Sequence, residues 1–263
     1  MLLLLACTGR DLDDTAVVDT DVESDTDTDA DTDADTDADT DTDTDTDTTP
    51  GEVANHVLLS FTVADRGEGF DVDGDGEIDN AIWALGGLLD PLVAEGLATA
   101  QHVVISQIYG VHDWTDDASV NVGVLSAEDP DGDGSDNGSG AEVFAGGAQL
   151  DADGLVRVST ETALVGGVYT AELATEPLPI GSYELELATG LFAEATVTAE
   201  AESGILGFGI ALDKLAIALE AEGTSTDIID ALSALADLDL DGDGTEDALS
   251  MAFHFDAAAC TLE

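Results

Sequence analysis

The chain predicts a mainly β fold, an antiparallel β-sandwich or barrel with a few short helical inserts, preceded by a disordered acidic N-terminal segment. Three observations carry that expectation. Short runs rich in Val, Leu, Ile and Phe recur from His56 onward, separated by Gly- and Asp-rich turns. Only a few stretches between them show helical spacing. From Asp25 to Asp47 every odd position is Asp and the residues between are Thr or Ala, so nothing there can be buried.

Composition narrows the function classes. Hydrophobic residues make up 44% of the 263, enough for a core, while 60 acidic residues face 4 basic ones for a formal net charge of -56. The bases are Arg10, Arg66, Arg157 and Lys214, so basic side chains can pair with almost none of the carboxylates. Phosphate recognition rests on Lys and Arg, which excludes nucleic acid as a partner. An anionic membrane surface would repel the body of the protein. A chain this acidic also repels itself, so divalent cations or salt favour its compact state.

After Pro50-Gly51, His56 to Val63 reads as a strand. Asn80 to Leu89 has Ile82, Leu85 and Leu89 at helical spacing, weakened by Gly86 and Gly87. Asp90-Pro91 reads as an N-cap with proline at the first helical position, opening a second helix to about Ala100. Gln101 to Val111 and Ser119 to Leu125 follow as strands. The run from Asp129 to Asn137 enters a Gly/Ser-rich loop ending at Gly140. Leu155 to Thr160, Gly167 to Leu173, Tyr183 to Ala188, Leu191 to Glu200 and Gly204 to Ile210 are further strands, with Tyr183, Leu185 and Leu187 alternating against Glu184 and Glu186. Leu212 to Glu222, stopped by Gly223, and Thr226 to Leu238 read as helices. Ala248 to Phe255 is the last strand. No internal boundary appears, so residues 51–263 are expected to form one domain.

Two acidic stretches frame that domain. Asp71 to Asp79 reads Asp-Val-Asp-Gly-Asp-Gly-Glu-Ile-Asp, and Asp239 to Asp247 reads Asp-Leu-Asp-Gly-Asp-Gly-Thr-Glu-Asp. Carboxylates at alternate positions with glycine at the sharp turn are what a hard cation needs from a short loop. The expected ligands are Asp71, Asp73, Asp75, the Glu77 carbonyl and Asp79, and Asp239, Asp241, Asp243, the Thr245 carbonyl and Asp247, with Ca2+ as the cation. Asp-Gly repeats also occur as plain polar turns, but four aspartates at one spacing, twice, exceed turn preference. Over these nine residues the loops resemble EF-hand-like and thrombospondin type 3 calcium loops. Position 12, where an EF-hand places its bidentate acid, is Ile82 in one and Ser250 in the other, so the set is five ligands of six and the affinity should be below that of a sensor. Neither loop lies between two clear helices, which favours stapling over switching. The run from Asp129 lacks an apolar eighth position and is expected to be a flexible loop, with Asp129, Asp131 and Asp133 as weak ligands.

The first seven residues, Met-Leu-Leu-Leu-Leu-Ala-Cys, resemble a bacterial lipobox, which implies acylation at Cys7 after a signal peptide whose beginning is missing. Thr8 then implies transit to the outer membrane. Residues 8–50 are expected to be a tether reaching on the order of 130 Å at full extension. The lipobox, the Asp/Thr tract, Phe70 to Asn80 and Asp239 to Ser250 together resemble a group of surface lipoproteins of myxobacteria and related bacteria that carries no assigned activity. That resemblance implies a location more than a task.

Other chemistry is sparse. His56, His102, His112 and His254 lack zinc-ligand spacing and are expected to be satisfied surface or core side chains. Nucleophile-elbow, Walker and dinucleotide fingerprints do not occur. Cys260 is expected to be free. The expected function is a lipid-anchored surface protein with a Ca2+-stapled β domain serving as a structural or binding module, its ligand an extracellular protein or polysaccharide. The alternative is a secreted polysaccharide hydrolase, which needs a carboxylate pair in a cleft lined by Trp114, Trp83 or Tyr109.

Overall fold

The structure, a computed structural model, describes residues 51–98, 102–134, 137–140, 142–174, 178–180, 183–185, 187–221, 226–240 and 242–263. Cys7 and the Asp/Thr tract lie outside the described residues.

Strands β1 (Glu52–Val63), β2 (His102–Val111) and β3 (Asp116–Glu128) are followed by the two-residue β4 (Val143–Phe144), then β5 (Thr160–Val165) and β6 (Val168–Leu173). A small hairpin, β7 (Leu178–Ile180) and β8 (Tyr183–Leu185), precedes β9 (Leu191–Val197), β10 (Ala201–Ala211), β11 (Ala248–Ala259) and β12 (Thr261–Leu262). Eight of these close an antiparallel barrel in the order β1-β11-β10-β9-β6-β5-β3-β2, with β2 returning to β1. Of the two architectures expected, the barrel is the one adopted. Closure pairs the first long strand with the last, so the sheet has no free edge to protect.

The register fixes what faces inward, because partners directly across a pair share a face. Leu58, Phe61 and Val63 of β1 point into the barrel with Phe253, Phe255 and Ala257 of β11, Phe208 and Ile210 of β10, and Ala193 and Ala195 of β9. A bulge between Leu58 and Ser60 keeps both halves of β1 facing inward. An eight-stranded barrel is just wide enough for side chains to fill. Here Phe253 stacks on Phe61 at 4.1 Å between ring centroids and lies 6.0 Å from Phe208. A second cluster lies outside β1, β2 and β3, where Val57, Val103, Ile105 and Leu125 are covered by Phe144, Leu150 and Val156. Gly123 permits that cover, since a Cβ there would lie 2.2 Å from the Val156 side chain.

Several boundaries differ from expectation, each for a local reason. A short 3-10 helix, Ala81–Leu85, runs directly into α1 (Gly86–Leu97), so Gly86 and Gly87 begin the α-helix and Pro91 sits inside it. Asp90 is not a cap: its carboxylate accepts the Val63 amide at 2.8 Å and ties α1 to the end of β1. Residues 155–159 precede β5 instead of forming a strand, because the Val156 amide donates to the Gln107 side chain and Arg157 to the Gln149 carbonyl. The strand expected over Tyr183 to Ala188 is the three-residue β8, and its side chains lie outside those described. Helix α2 (Leu212–Ala221) starts where the spacing suggested, with Glu222 outside the described residues, and α3 (Thr226–Ser233) is shorter than the spacing suggested. By strand direction, α1, α2 and α3 gather at the end of the barrel where β1 exits and β11 enters. Ile82, Leu215 and Leu232 pack onto the core there.

Replacing Phe253 by Ala should destabilise the protein by about 3–5 kcal/mol, as loss of a buried ring leaves a cavity in a closed interior. Urea denaturation of the full chain measures it, through a lower midpoint at an unchanged slope.

Candidate cation-binding loops

The first acidic loop hangs from the exit of β1 and the second leads into β11, so the two flank the pair of strands that closes the barrel. Both adopt one nine-residue ring. In the first, Asp71 accepts the Gly74 amide on Oδ1 at 2.7 Å and the Gly76 amide on Oδ2 at 3.0 Å. In the second, Asp239 accepts the Gly242 amide at 2.9 Å and the Gly244 amide at 2.7 Å in the same way. The ninth residue closes each ring: the Asp79 amide donates to the Phe70 carbonyl at 2.9 Å and the Asp247 amide to that of Leu238 at 2.8 Å. Its carboxylate then accepts the amide of the second residue, Val72 at 2.8 Å or Leu240 at 3.1 Å. Four glycines, Gly74, Gly76, Gly242 and Gly244, have φ between +74° and +94°, where a side chain would be strained.

One carboxylate oxygen from each of Asp71, Asp73 and Asp79 lies within 4.8 Å of the others. The Asp75 carboxylate accepts the Glu77 amide, and that of Asp243 the Thr245 amide, so both are held at the ring's rim. Glu77 and Thr245 are exposed, leaving their carbonyls as the groups expected at the seventh position. Asp241 lies outside the described residues. Neither twelfth-position residue faces its loop. Ile82 is buried in the barrel core, and Ser250 is fully buried and bonded elsewhere.

The loops are joined to each other. Val72 of the first packs with Leu238 and Ala248, which bracket the second, beneath Phe70 and Phe192. Asp237 accepts both the amide and the hydroxyl of Ser250, whose Oγ in turn accepts the Ala81 amide at 2.8 Å. The Asn80 side chain donates to the carbonyls of Ala64 at 3.0 Å and Glu68 at 3.2 Å, pinning the first loop to the end of β1. Ser250, Asp237 and Asn80 carry no metal-site signature in the sequence, and only the fold reveals what they do.

One carboxylate of the first ring is poorly solvated. Asp79 is 8% exposed, and burial pushes its carboxyl up from 3.8 to about 6, against the Val72 hydrogen bond and with the charges of Asp73, Asp237 and Asp75 adding to the rise. A carboxylate in that position is stabilised either by a proton or by a cation.

The other singled-out residues are engaged separately. The Trp114 indole donates to Glu52 at 2.6 Å, the Tyr109 hydroxyl bonds Ser159 at 2.7 Å, and Arg66 lies 5.2 Å over the Trp83 ring. His254 bonds Glu68 at 2.8 Å and the exposed His112 lies 3.6 Å from Asp117, while the His102 side chain lies outside the described residues. Cys260 is free, with burial raising its thiol to about 12.

His56 departs from the expectation of a satisfied histidine. It is fully buried inside the barrel and neither ring nitrogen has a hydrogen-bond partner among the described residues, its Nδ1 lying 3.4 Å from Glu202 Oε2. The Tyr169 hydroxyl donates to Glu202 Oε1 at 2.5 Å, and burial followed by the Glu202 charge raises its pKa well above the ordinary value. This inward-facing polar group was invisible in the sequence, because its members come from three strands. The run from Asp129 also departs from expectation: Asp129 is buried, and its Oδ1 accepts the amides of Asp131 and Gly132.

In chelator the folded protein holds a proton on Asp79 to about pH 6, whereas the unfolded chain releases it near 3.8. The folded state therefore binds more protons between those values, and this contribution to stability is complete below about pH 4 and lost as pH rises through about 6. A melting-temperature series in EDTA should show that decline, and Asp79→Asn should flatten it while keeping an acceptor for the Val72 amide. A cation held by Asp79 would compete with the same proton, so any stabilisation by added Ca2+ should grow as pH rises through about 6.

Compared with protein-family models, with curated proteins and with solved structures, the chain finds no match.

Proposed function

We propose that this is a lipid-anchored bacterial surface protein whose β-barrel is stapled by Ca2+ at the Asp71 and Asp239 loops and works as a structural or binding module for an extracellular protein or polysaccharide. The observation that carries the stapling is the Asp71, Asp73 and Asp79 cluster, three carboxylates within 4.8 Å around a buried Asp79. Hard divalent cations take oxygen ligands of this kind. The position of the two loops supports a stabilising role over a sensing one. They flank the β1–β11 closure and share the Val72, Leu238 and Ala248 contact, so a cation in either ring would hold the barrel's seam. The anchor rests on the lipobox-like residues ending at Cys7 and on the Asp/Thr tract that follows them.

Thermal unfolding of the full chain with Ca2+ and with EGTA tests the staple. A ligand that binds only the folded state at about a hundred times its Kd adds about 2.7 kcal/mol per site. The midpoint should therefore rise with Ca2+ in the wild type and much less in Asp71→Asn/Asp239→Asn. An unchanged midpoint at millimolar Ca2+, on the order of the weakest extracellular sites, would sink the proposal. For the anchor, cells fed a labelled fatty acid should label the wild-type chain and not Cys7→Ala, and equal labelling of both would remove the lipid from the reading.

A further inference from the structure

We propose that the turn following β3 holds a third divalent-cation site, with Asp129, Asp131 and Glu142 supplying carboxylate oxygens to Ca2+. One carboxylate oxygen from each of the three lies within 4.8 Å of the others. Burial supplies an independent indication of a ligand. Asp129 is only 4% exposed, and while its Oδ1 is held by the amides of Asp131 and Gly132, its Oδ2 is buried with no hydrogen-bond partner among the described residues. A buried carboxylate oxygen left unsatisfied costs several times what a made hydrogen bond contributes.

The orphaned oxygen has a local cause. In the other two rings the glycine at position six turns with positive φ and donates its amide to the first carboxylate. Gly134, at that position here, does not take a positive φ and is instead pressed against the end of α1, where an added Cβ would fall 2.0 Å from the Leu97 carbonyl oxygen. Position two is Pro130, which has no amide to offer the ninth residue. The ninth residue is Asn137, 3% exposed, and its Oδ1 is also buried without a hydrogen-bond partner among the described residues. The turn thus keeps the acidic spacing of the other loops but lacks the two amides that neutralise them.

No basic side chain among the described residues makes up the deficit. Arg66 lies over Trp83, the Arg157 Nε donates to the carbonyls of Ala148 and Leu150, and Lys214 is on the exposed surface of α2. The nearby carboxyl end of α1 adds partial negative charge, which favours a cation over a further anion. Three carboxylates and buried oxygen acceptors match a hard, oxygen-seeking divalent ion better than a soft metal.

Hydrogen–deuterium exchange of the full chain, read peptide by peptide in Ca2+ and in EGTA, tests this site apart from the other two loops. With Ca2+ at about ten times Kd, amides between residues 127 and 145 should exchange about tenfold more slowly in the wild type. The slowing should survive in Asp71→Asn/Asp239→Asn and disappear in both Glu142→Gln and Asp131→Asn, with circular dichroism checking that each variant is folded. Asp131 is exposed, so its variant keeps the test meaningful if Glu142→Gln fails to fold. Exchange indifferent to Ca2+ in the wild type, slowing retained in the folded Asp131→Asn chain, or slowing lost in Asp71→Asn/Asp239→Asn would overturn the site. Slowing here without a response in the two flanking loops would instead leave this site standing and remove the proposed staple.

Discussion

The constraint on which the rest of the structure depends is that carboxylates outnumber basic side chains by 60 to 4. Ion pairing is closed to nearly all of them, so backbone amides take its place. Asp117 accepts the amides of His112, Asp113 and Ser119, and Asp151 those of Leu155 and Asp153; in each the hydrogen bonds hold the carboxyl below its ordinary value. Asp71 and Asp239 likewise accept backbone amides within their rings, and Asp90 accepts the Val63 amide at the end of β1. An amide is a partial charge fixed by the chain's path. Much of the loop geometry, including the left-handed glycines, follows from bringing amides to acids.

Where burial is added, amides alone no longer suffice, and the protein meets the problem in two ways. Inside the barrel, Glu202 is met by the Tyr169 hydroxyl with His56 beside it, three side chains sealed from solvent. At the helix-capped end, Asp79 accepts one amide, and its burial first, then the facing Asp73, Asp237 and Asp75, raise its pKa. The first arrangement is enclosed by the barrel's own side chains and satisfied only in part, since Tyr169 reaches one Glu202 oxygen while the other and both His56 nitrogens have no hydrogen-bond partner among the described residues. The second is left to solution components, and so couples the barrel's seam to its surroundings.

Much of the fold was legible because strands announce themselves by composition and turns by Gly and Asp. The apolar runs at His56 to Val63, Gly204 to Ile210 and Ala248 to Phe255 became the cores of β1, β10 and β11. Closure into a barrel was not legible, since the pairing of Phe61 with Phe255 depends on register between distant segments. Asp90-Pro91 misled because a capping signal is local, whereas the Asp90 carboxylate was recruited by Val63. The Asp and Gly spacing shared by the two acidic stretches became two loops with the same hydrogen-bond pattern. The hydrogen-bonding roles of Asp237, Asn80 and Ser250 were not legible, because they arise only when the two loops meet. Those of His56 and Glu202 were not legible for the same reason, the two being 146 residues apart by number and adjacent only across the barrel.

The β1–β11 pairing has a kinetic consequence. Ser60 and Asp256, joined by a hydrogen bond at 2.7 Å, are 196 positions apart, so the seam is a contact of very high sequence separation. Closing such a long loop comes late, and folds dominated by distant antiparallel pairings form slowly. The first strand must wait, with one edge bare, until the last strand has been made. During that interval the open sheet can add a strand from another copy. The dense negative charge, which would push two such intermediates apart, guards the protein over the same interval.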